Sequence, residues 1–153
     1  MTRRFVRVAL GVALFSASVA AQAQTEIQWW HSMTGALGDR VNEIANGFNA
    51  SQKDYKVVPV YKGAYPESMA AAIAAFRAGN APHILQVFEV GTATMMAAKG
   101  AIRPIQQVMR EAGEKFDPTV YVSAVAGYYT ALNGQMLSFP FNSSTTVFYY
   151  NKD

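Results

Sequence analysis

The chain has 153 residues, of which 51% are hydrophobic and 15% charged, a composition that suits one globular domain. It contains no cysteine, which excludes disulfide bonds and thiol chemistry, and its two histidines are too few for a typical structural zinc site. The formal net charge of +3 is small and gives no evidence of a surface for nucleic acid.

Residues 1–23 have the composition of a secretory signal peptide. Three arginines among the first seven residues form a basic region, residues 8–20 are apolar or small, and cleavage is expected after Ala23. A membrane anchor is the alternative, but the apolar run is short for a bilayer and nothing basic follows it. Without this leader, Lys and Arg fall from 13 to 10 and equal the 10 Asp and Glu, so no nucleic-acid partner is expected.

The first half of the mature chain alternates predicted strands and helices. The pattern T-E-I-Q-W-W-H predicts a strand over Thr25 to His31, and Tyr55 to Tyr61 is a second strand in which Pro59 indicates a sheet edge or an irregularity. Between them, apolar residues at helical spacing predict a helix over about 38–49. A second helix is expected from Pro66 to about Ala78, because proline suits the first turn and a glycine follows the last one.

The second half is less regular and predicts one buried strand, several short helices and a final pair of strands. The run I-L-Q-V-F-E-V is almost continuously apolar, which is typical of a strand covered on both faces. A turn is expected at Asn133-Gly134. The other predicted elements are a strand over Ile84 to Val90, a helix capped by Thr92 or Thr94 and ending at Lys99-Gly100, a helix over Ile105 to Ala112, helical or mixed structure over 118–129, and strands over 137–141 and 147–150.

This order of elements predicts an α/β fold with a mostly parallel sheet, helices on both faces and right-handed crossovers. Ligands of such folds bind outside the carboxyl ends of the strands. Four groups are expected there: His31 with Ser32, Tyr65, Glu89, and the polar run N-S-S-T-T at 142–146. The hydroxyl and amide side chains of that run suit an oxyanion or polyol site, and equally a solvated turn.

Each candidate has a functional and an ordinary interpretation. Glu89 is the only charge in an apolar run, so its carboxylate either pairs with an arginine or lysine or receives hydroxyl donors from a ligand. Tyr65 has an apolar ring and a polar tip, which suit a polyol pocket and also an ordinary surface. His31 could transfer protons or be a hydrogen-bonded histidine at a strand end. Of the adjacent Trp29 and Trp30, one is expected in the core and the other in a cleft.

Catalytic motifs are lacking from the sequence. It contains no G-x-S-x-G elbow, no G-x-x-x-x-G-K phosphate loop, no dinucleotide fingerprint and no H-E-x-x-H pair. The residues therefore favour binding over catalysis, and neither a cofactor nor a bound metal is expected.

Four segments resemble a known family. They are W-W-H-S-M-T-G at 29–35, Y-K-G-A-Y at 61–65, A-F-R-A-G-N-A-P-H-I-L-Q-V-F-E-V-G-T-A-T-M-M at 75–96 and P-F-N-S-S-T-T-V-F-Y-Y-N-K-D at 140–153. These are similar to the extracellular solute-binding proteins of ABC importers, the family of the maltose-binding proteins, and in particular to its members for sn-glycerol-3-phosphate. The resemblance covers essentially the whole mature chain, and the block at 75–96 is its most specific part.

The resemblance implies a two-lobed α/β protein in the periplasm that closes on glycerol-3-phosphate like a hinge. It implies delivery to an inner-membrane ABC permease and its ATPase, by a monomer without a cofactor. Carried over by motif, the ligand contacts fall on Tyr65, Glu89 and Ser144. The family places the carboxylate near the glycerol hydroxyls and the serine near the phosphate, which agrees with the repulsion between a carboxylate and a phosphate. Glu89 and Ser144 are therefore expected at opposite ends of the ligand.

Members of this family are far longer than 153 residues. Residues 24–153 are therefore expected to be an N-terminal, truncated part of the first lobe, without the arginine that binds phosphate in the family. Three other functions stay open. They are a neutral-sugar binder of the same family, a secreted hydrolase that uses His31 and a serine, and a chemosensory or structural lobe.

Overall fold

The computed structural model describes residues 24–98 and 100–153, so the predicted signal peptide and Lys99 lie outside the described residues. Strands and helices alternate along the first two thirds of this part of the chain. No helix within it is long and apolar enough to cross a membrane. The elements are β1 (Thr25–His31), α1 (Gly35–Ser51), β2 (Tyr55–Tyr61), α2 (Tyr65–Arg77), β3 (Ile84–Leu85), α3 (Glu89–Ala97), α4 (Ile105–Glu111), a short 3-10 helix (Pro118–Val120) and α5 (Ser123–Tyr128).

The three strands form a parallel sheet in the order β2-β1-β3, so the first strand is central. The pairing of β1 with β2 runs without a break from Thr25 opposite Tyr55 to His31 opposite Tyr61. Pro59 lies in β2, an edge strand, as expected for a residue that cannot donate to a ladder. The parallel sheet with intervening helices confirms the predicted α/β class.

Helix α1 is attached to β2 by polar side chains at its C-terminal end. Asn49 accepts from the Val57 N–H at 2.7 Å and donates to the Val57 carbonyl at 2.8 Å. Gln52, which follows the helix, accepts from the N–H groups of Asp54 and Tyr55, both at 2.8 Å. These amides take the place of a neighbouring strand on the outer edge of β2. The helix begins at Gly35, three residues earlier than expected, where a φ of 52° favours glycine.

The third strand is shorter than the sequence pattern predicts. Only Ile84 and Leu85 pair with β1, and the chain leaves the sheet after the Gln86 N–H donates to the Trp30 carbonyl at 2.9 Å. Helix α3 then begins at Glu89, so the prediction that Glu89 ends a strand is wrong. A short apolar run has no period that separates a strand from a buried helix, and here a helix begins at the last two residues of the run.

Gly91 and Thr92 are buried near the start of α3. The Thr92 hydroxyl donates to the Phe88 carbonyl one turn earlier, at 3.2 Å, so Thr92 lies inside the helix and neither it nor Thr94 caps it as expected. A Cβ at Gly91 would lie 2.6 Å from the terminal methyl of Met69 and 2.8 Å from the Phe88 ring, so glycine leaves room for these two side chains at the start of α3.

The remaining expectations are met in part. Helix α4, the mixed structure over 118–129 and the turn at Asn133-Gly134 are confirmed, the last with a φ of 81° at Gly134. The strands predicted over 137–141 and 147–150 are wrong, since both stretches are irregular. A strand exists only beside a partner, and no strand of the described part of the chain lies next to them.

Candidate binding site

The candidate site lies at the edge of the sheet where the parallel strands end. β1, β2 and β3 finish at His31, Tyr61 and Leu85, and each strand is followed by the N-terminus of a helix. Three helix N-termini at one edge give it a positive potential. The predicted candidates from three separate parts of the sequence come together here, joined by a residue that was not predicted.

That residue is Gln86, which is 7% exposed. Its Oε1 accepts from the Ser32 N–H at 3.0 Å. Its Nε2 donates to Asn142 Oδ1 at 3.1 Å and makes a longer contact, 3.5 Å, with the Tyr65 hydroxyl. One buried amide therefore connects the loop after β1, the start of α2 and the polar run at 142–146. The signal in the sequence is a polar amide inside an almost continuously apolar run, at Gln86 directly after β3.

Tyr65 is the first residue of α2, and its ring is held by stacking. The rings of Tyr65 and Phe88 are 5.2 Å apart between centroids and inclined by only 17°. Since Phe88 immediately precedes Glu89, this stack links the start of α2 to the start of α3. The ring is fixed on one side, and its hydroxyl reaches the Gln86 amide.

Glu89 is the first residue of α3, and its carboxylate accepts backbone donors. Its Oε1 accepts the Ser144 N–H at 3.1 Å, and its main-chain carbonyl accepts the Tyr128 hydroxyl at 2.5 Å. Its pKa is lowered from the ordinary 4.5, first by a hydrogen bond from its own backbone N–H and next by that of Ser144. The ion pairs among the described residues are Arg40–Glu43 and Arg103–Glu111, so Glu89 receives neutral donors and has no cationic partner there.

Ser144 lies on an exposed, irregular stretch and meets the site through its backbone. The stretch touches the sheet where Phe141 packs edge-to-face on Trp29, with centroids 5.5 Å apart. Glu89 and Ser144 are in direct contact in this structure and are not separated by the length of a ligand. The expectation that they contact opposite ends of the ligand stays a prediction.

His31 is 5% exposed and is not arranged as a catalytic base. Its Nδ1 accepts the Met33 N–H at 3.3 Å, so in the neutral ring the proton is on Nε2. Burial lowers the pKa of His31 from the ordinary 6.5. Neither nitrogen of this neutral ring has a free lone pair to take a proton from a serine. Across the described residues, no cluster of His, Asp and Glu is placed to hold a metal ion.

The sequence matches a known protein family and several of its curated members. Residues 43–153 match a family described as bacterial extracellular solute-binding protein. The chain is 59% identical over 143 residues to the sn-glycerol-3-phosphate-binding periplasmic protein of Pectobacterium atrosepticum, covering 93% of this chain and 32% of the relative. The protein of that name from Yersinia enterocolitica is 63% identical over 147 residues, with 95% and 33% covered. The chain thus spans about a third of the length of the curated relatives it matches.

Among solved structures, the fold is similar to an ABC substrate-binding protein of Listeria monocytogenes in complex with cycloalternan. The TM-score is 0.59 at 20% identity, and the match covers 73% of this chain and 28% of that one. This likeness supports the parallel α/β architecture and says nothing about the ligand of the present chain.

Proposed function

The chain belongs to the bacterial extracellular solute-binding protein family, and we propose that it is part of a periplasmic protein that binds sn-glycerol-3-phosphate for an ABC importer. The observation that carries the proposal is the identity of about 60% to relatives named for that ligand, along nearly the whole chain. The partners that follow are an inner-membrane permease and its ATPase, and we propose a monomer. The described residues would supply one wall of the binding site.

Glu89 would bind the glycerol end of the ligand. Its carboxylate stays ionised because hydrogen bonds from its own N–H and from Ser144 lower its pKa. A carboxylate has about four lone-pair sites, so beyond those that accept these N–H groups it can also receive the hydroxyl donors of a polyol. A carboxylate repels a phosphate, so the phosphate would lie away from it.

Ser144 would mark the change from the glycerol end to the phosphate end. Its N–H is bonded to Glu89, and its exposed hydroxyl, which also contacts that carboxylate, would donate to a phosphate oxygen when the ligand is bound. Tyr65 would pack against the carbon chain of the glycerol, with its ring stacked on Phe88. With the roles that the family resemblance implies, the two residues would lie next to each other along the ligand.

We propose that the protein binds its ligand without chemistry. The only described histidine at the site is committed through Nδ1 to a backbone N–H and is kept neutral by burial, which disfavours a hydrolase that uses His31 and a serine. Incubation of the complete protein with glycerophosphodiesters and phosphate esters should give no products. Hydrolysis that disappears in His31→Ala would replace the binding function with a hydrolytic one.

Calorimetric titration of the complete protein with sn-glycerol-3-phosphate tests the binding function directly. We expect binding that glycerol and neutral sugars do not match. Glu89→Gln should weaken it by about 1.5–3 kcal/mol, roughly ten- to a hundredfold, because charge-assisted hydrogen bonds are lost. Ser144→Ala should cost less, because a neutral donor is lost while other contacts remain.

Glu114→Gln is the matched control, since Glu114 is exposed and lies outside the sheet edge. It should bind like the unmodified protein. Equal affinity for a neutral sugar would favour the alternative binder in the same family. Normal binding by Glu89→Gln would remove Glu89 from the site.

A further inference from the structure

We propose that Gln86 is a positioning residue that sets the direction of the hydrogen bonds at the sheet edge, and that it thereby makes Asn142 a donor to the phosphate of the ligand. The proposal rests on the proposed function and adds two residues to its site. It starts from one fact of covalent chemistry, that a backbone N–H can donate and cannot accept.

The Ser32 N–H lies 3.0 Å from the end of the Gln86 side chain. Because this N–H must donate, the atom that faces it is the acceptor oxygen Oε1, and the Nε2 group is directed the other way. The main chain of Gln86 is fixed as well, since its own N–H donates to the Trp30 carbonyl at 2.9 Å. The amide therefore has one orientation, set by two backbone groups of the central strand and its loop.

The fixed Nε2 determines what its two neighbours can do. Nε2 only donates, so Asn142 must offer its Oδ1, which lies 3.1 Å away, and the Nδ2 group of Asn142 is turned outwards. Tyr65 likewise offers a lone pair of its hydroxyl at 3.5 Å and keeps its O–H proton for another partner. No acceptor for either group lies within hydrogen-bond distance in the part of the chain that the structure describes.

The side chains at this sheet edge therefore offer hydrogen-bond donors to a ligand. Asn142 contributes two N–H bonds and Tyr65 one O–H, beside the N-terminal ends of α2 and α3. These neutral donors, with the acceptors Gln86 Oε1 and Asn142 Oδ1 already occupied, match a ligand end that only accepts, such as a phosphate. Asn142 is exposed and lies two residues before Ser144, so both can reach the same phosphate.

A purely structural role for Gln86 would have a different outcome. A buried amide costs stability unless it is hydrogen-bonded, and Gln86 at 7% exposure needs its partners for that reason alone. In that case the orientation of Asn142 would not matter to the ligand. The two roles differ in two measurable ways. One is whether the effects of Gln86 and Asn142 variants on binding are coupled, and the other is how fast the two side-chain amides exchange with water when no ligand is bound.

The first test uses no ligand. In the NMR spectrum of the complete, unmodified protein, the side-chain NH2 of Gln86 should exchange slowly with water and that of Asn142 rapidly. Slow exchange at Asn142 with rapid exchange at Gln86 would reverse the direction of the bond and overturn the proposal. This outcome does not depend on the identity of the ligand, so it judges the hydrogen-bond direction even if the complete protein fails to bind glycerol-3-phosphate.

The second test is a double-mutant cycle titrated with sn-glycerol-3-phosphate. Gln86→Met and Asn142→Ala should each weaken binding about tenfold, which is the loss of roughly one hydrogen bond. The double variant should be no more than about twofold weaker than the worse single variant, because one acts through the other. A hundredfold loss in the double variant, which is the product of independent effects, would overturn the positioning role, and so would normal binding by either single variant.

Gln106→Met is the matched control, because Gln106 also accepts a backbone N–H through Oε1, that of Met136 at 3.2 Å, away from the sheet edge. It should bind normally. Asn142→Ala changes an exposed side chain and keeps the cycle informative if Gln86→Met lowers stability. Absence of binding by the unmodified protein would contradict the proposed function, and the amide exchange would still decide the direction of the bond.

Discussion

The sheet edge and the aromatic segment, residues 139–150, contribute to the same candidate site and are held in different ways. At the sheet edge, Trp29 is 9% exposed and sits on the central strand. In the aromatic segment, Phe148 and Tyr149 are 88% and 89% exposed. The sheet edge is fixed by strand pairing and burial, whereas the segment is attached through a few side-chain contacts.

Those contacts are specific. Phe141 packs on Trp29, Asn142 bonds to Gln86, and Ser144 bonds to Glu89. Each joins a residue of the aromatic segment to a residue on or just after a strand of the sheet. The sheet edge therefore orients the aromatic segment. A variant at the sheet edge should therefore disturb both, and a variant in the segment mainly itself.

Trp29→Ala should have the largest effect on stability. Removal of a buried tryptophan leaves a cavity and costs about 3–5 kcal/mol, and here it also removes the surface on which Phe141 packs. Phe141→Ala is the matched change from the segment side and should cost clearly less, because Phe141 is about half exposed. Urea unfolding of the complete protein, followed by far-UV circular dichroism, gives both values. Equal costs would mean that the segment is as integral as the sheet.

Gly91→Ala should have an intermediate effect. The added Cβ would lie 2.6 Å from Met69 Cε and 2.8 Å from the Phe88 ring, so these two side chains must shift at a cost of about 1–3 kcal/mol. Because Phe88 also backs Tyr65, binding of glycerol-3-phosphate should weaken with stability. The control is Gly47→Ala.

Gly47 lies inside α1, where an added Cβ meets nothing within 4 Å. Its replacement by alanine should stabilise the protein by about 0.5–1 kcal/mol, since glycine is unfavourable in a helix interior. Opposite signs for the two alanine variants would confirm that close packing is confined to the neighbourhood of the site. A neutral or stabilising Gly91→Ala would contradict tight packing of Met69 and Phe88 around Gly91.

The first part of the fold was predictable because each element has its own local signal. The alternation in β1, the helical spacing of Val41 and Ala45 in α1, and Pro59 in an edge strand depend on residues close in sequence. The parallel order follows from the short connections. These signals also placed Tyr65 and Glu89 at one edge.

The second part was not predictable in the same way. The run at 84–90 is almost continuously apolar, so local sequence does not show that the strand ends at Leu85 and that a helix begins at Glu89. The aromatic run at 147–150 has the composition of a strand, but pairing depends on a neighbour that local sequence does not specify. Gln86 was not predicted as a site residue. Its three partners are distant in sequence, and a buried amide is recognised as a connecting residue only when they are in place.

The smallest effect expected is the release of Ser144 from Glu89 by acid. The pKa of Glu89 is lowered in the folded protein, so the ionised carboxylate favours the folded, attached arrangement. Its contribution is complete above the ordinary value of 4.5 and is lost as the pH falls through the lower, folded pKa. Protonation of the carboxylate weakens its bond to the Ser144 N–H and so loosens the aromatic segment, while the paired strands remain.

The chemical shift of the Ser144 amide proton, followed from neutral pH downwards, measures this release. Its titration midpoint should lie below 4.5, and the titration should be absent in Glu89→Gln. The Val57 amide proton is the internal control, since it is bonded to the neutral side chain of Asn49 at 2.7 Å and should not titrate while the sheet is intact. If both amides change together, the sheet edge and the segment respond as one unit and the distinction between them is lost. If Ser144 titrates in Glu89→Gln as before, another acid controls it and the contact between the two candidate residues is not the one that attaches the segment.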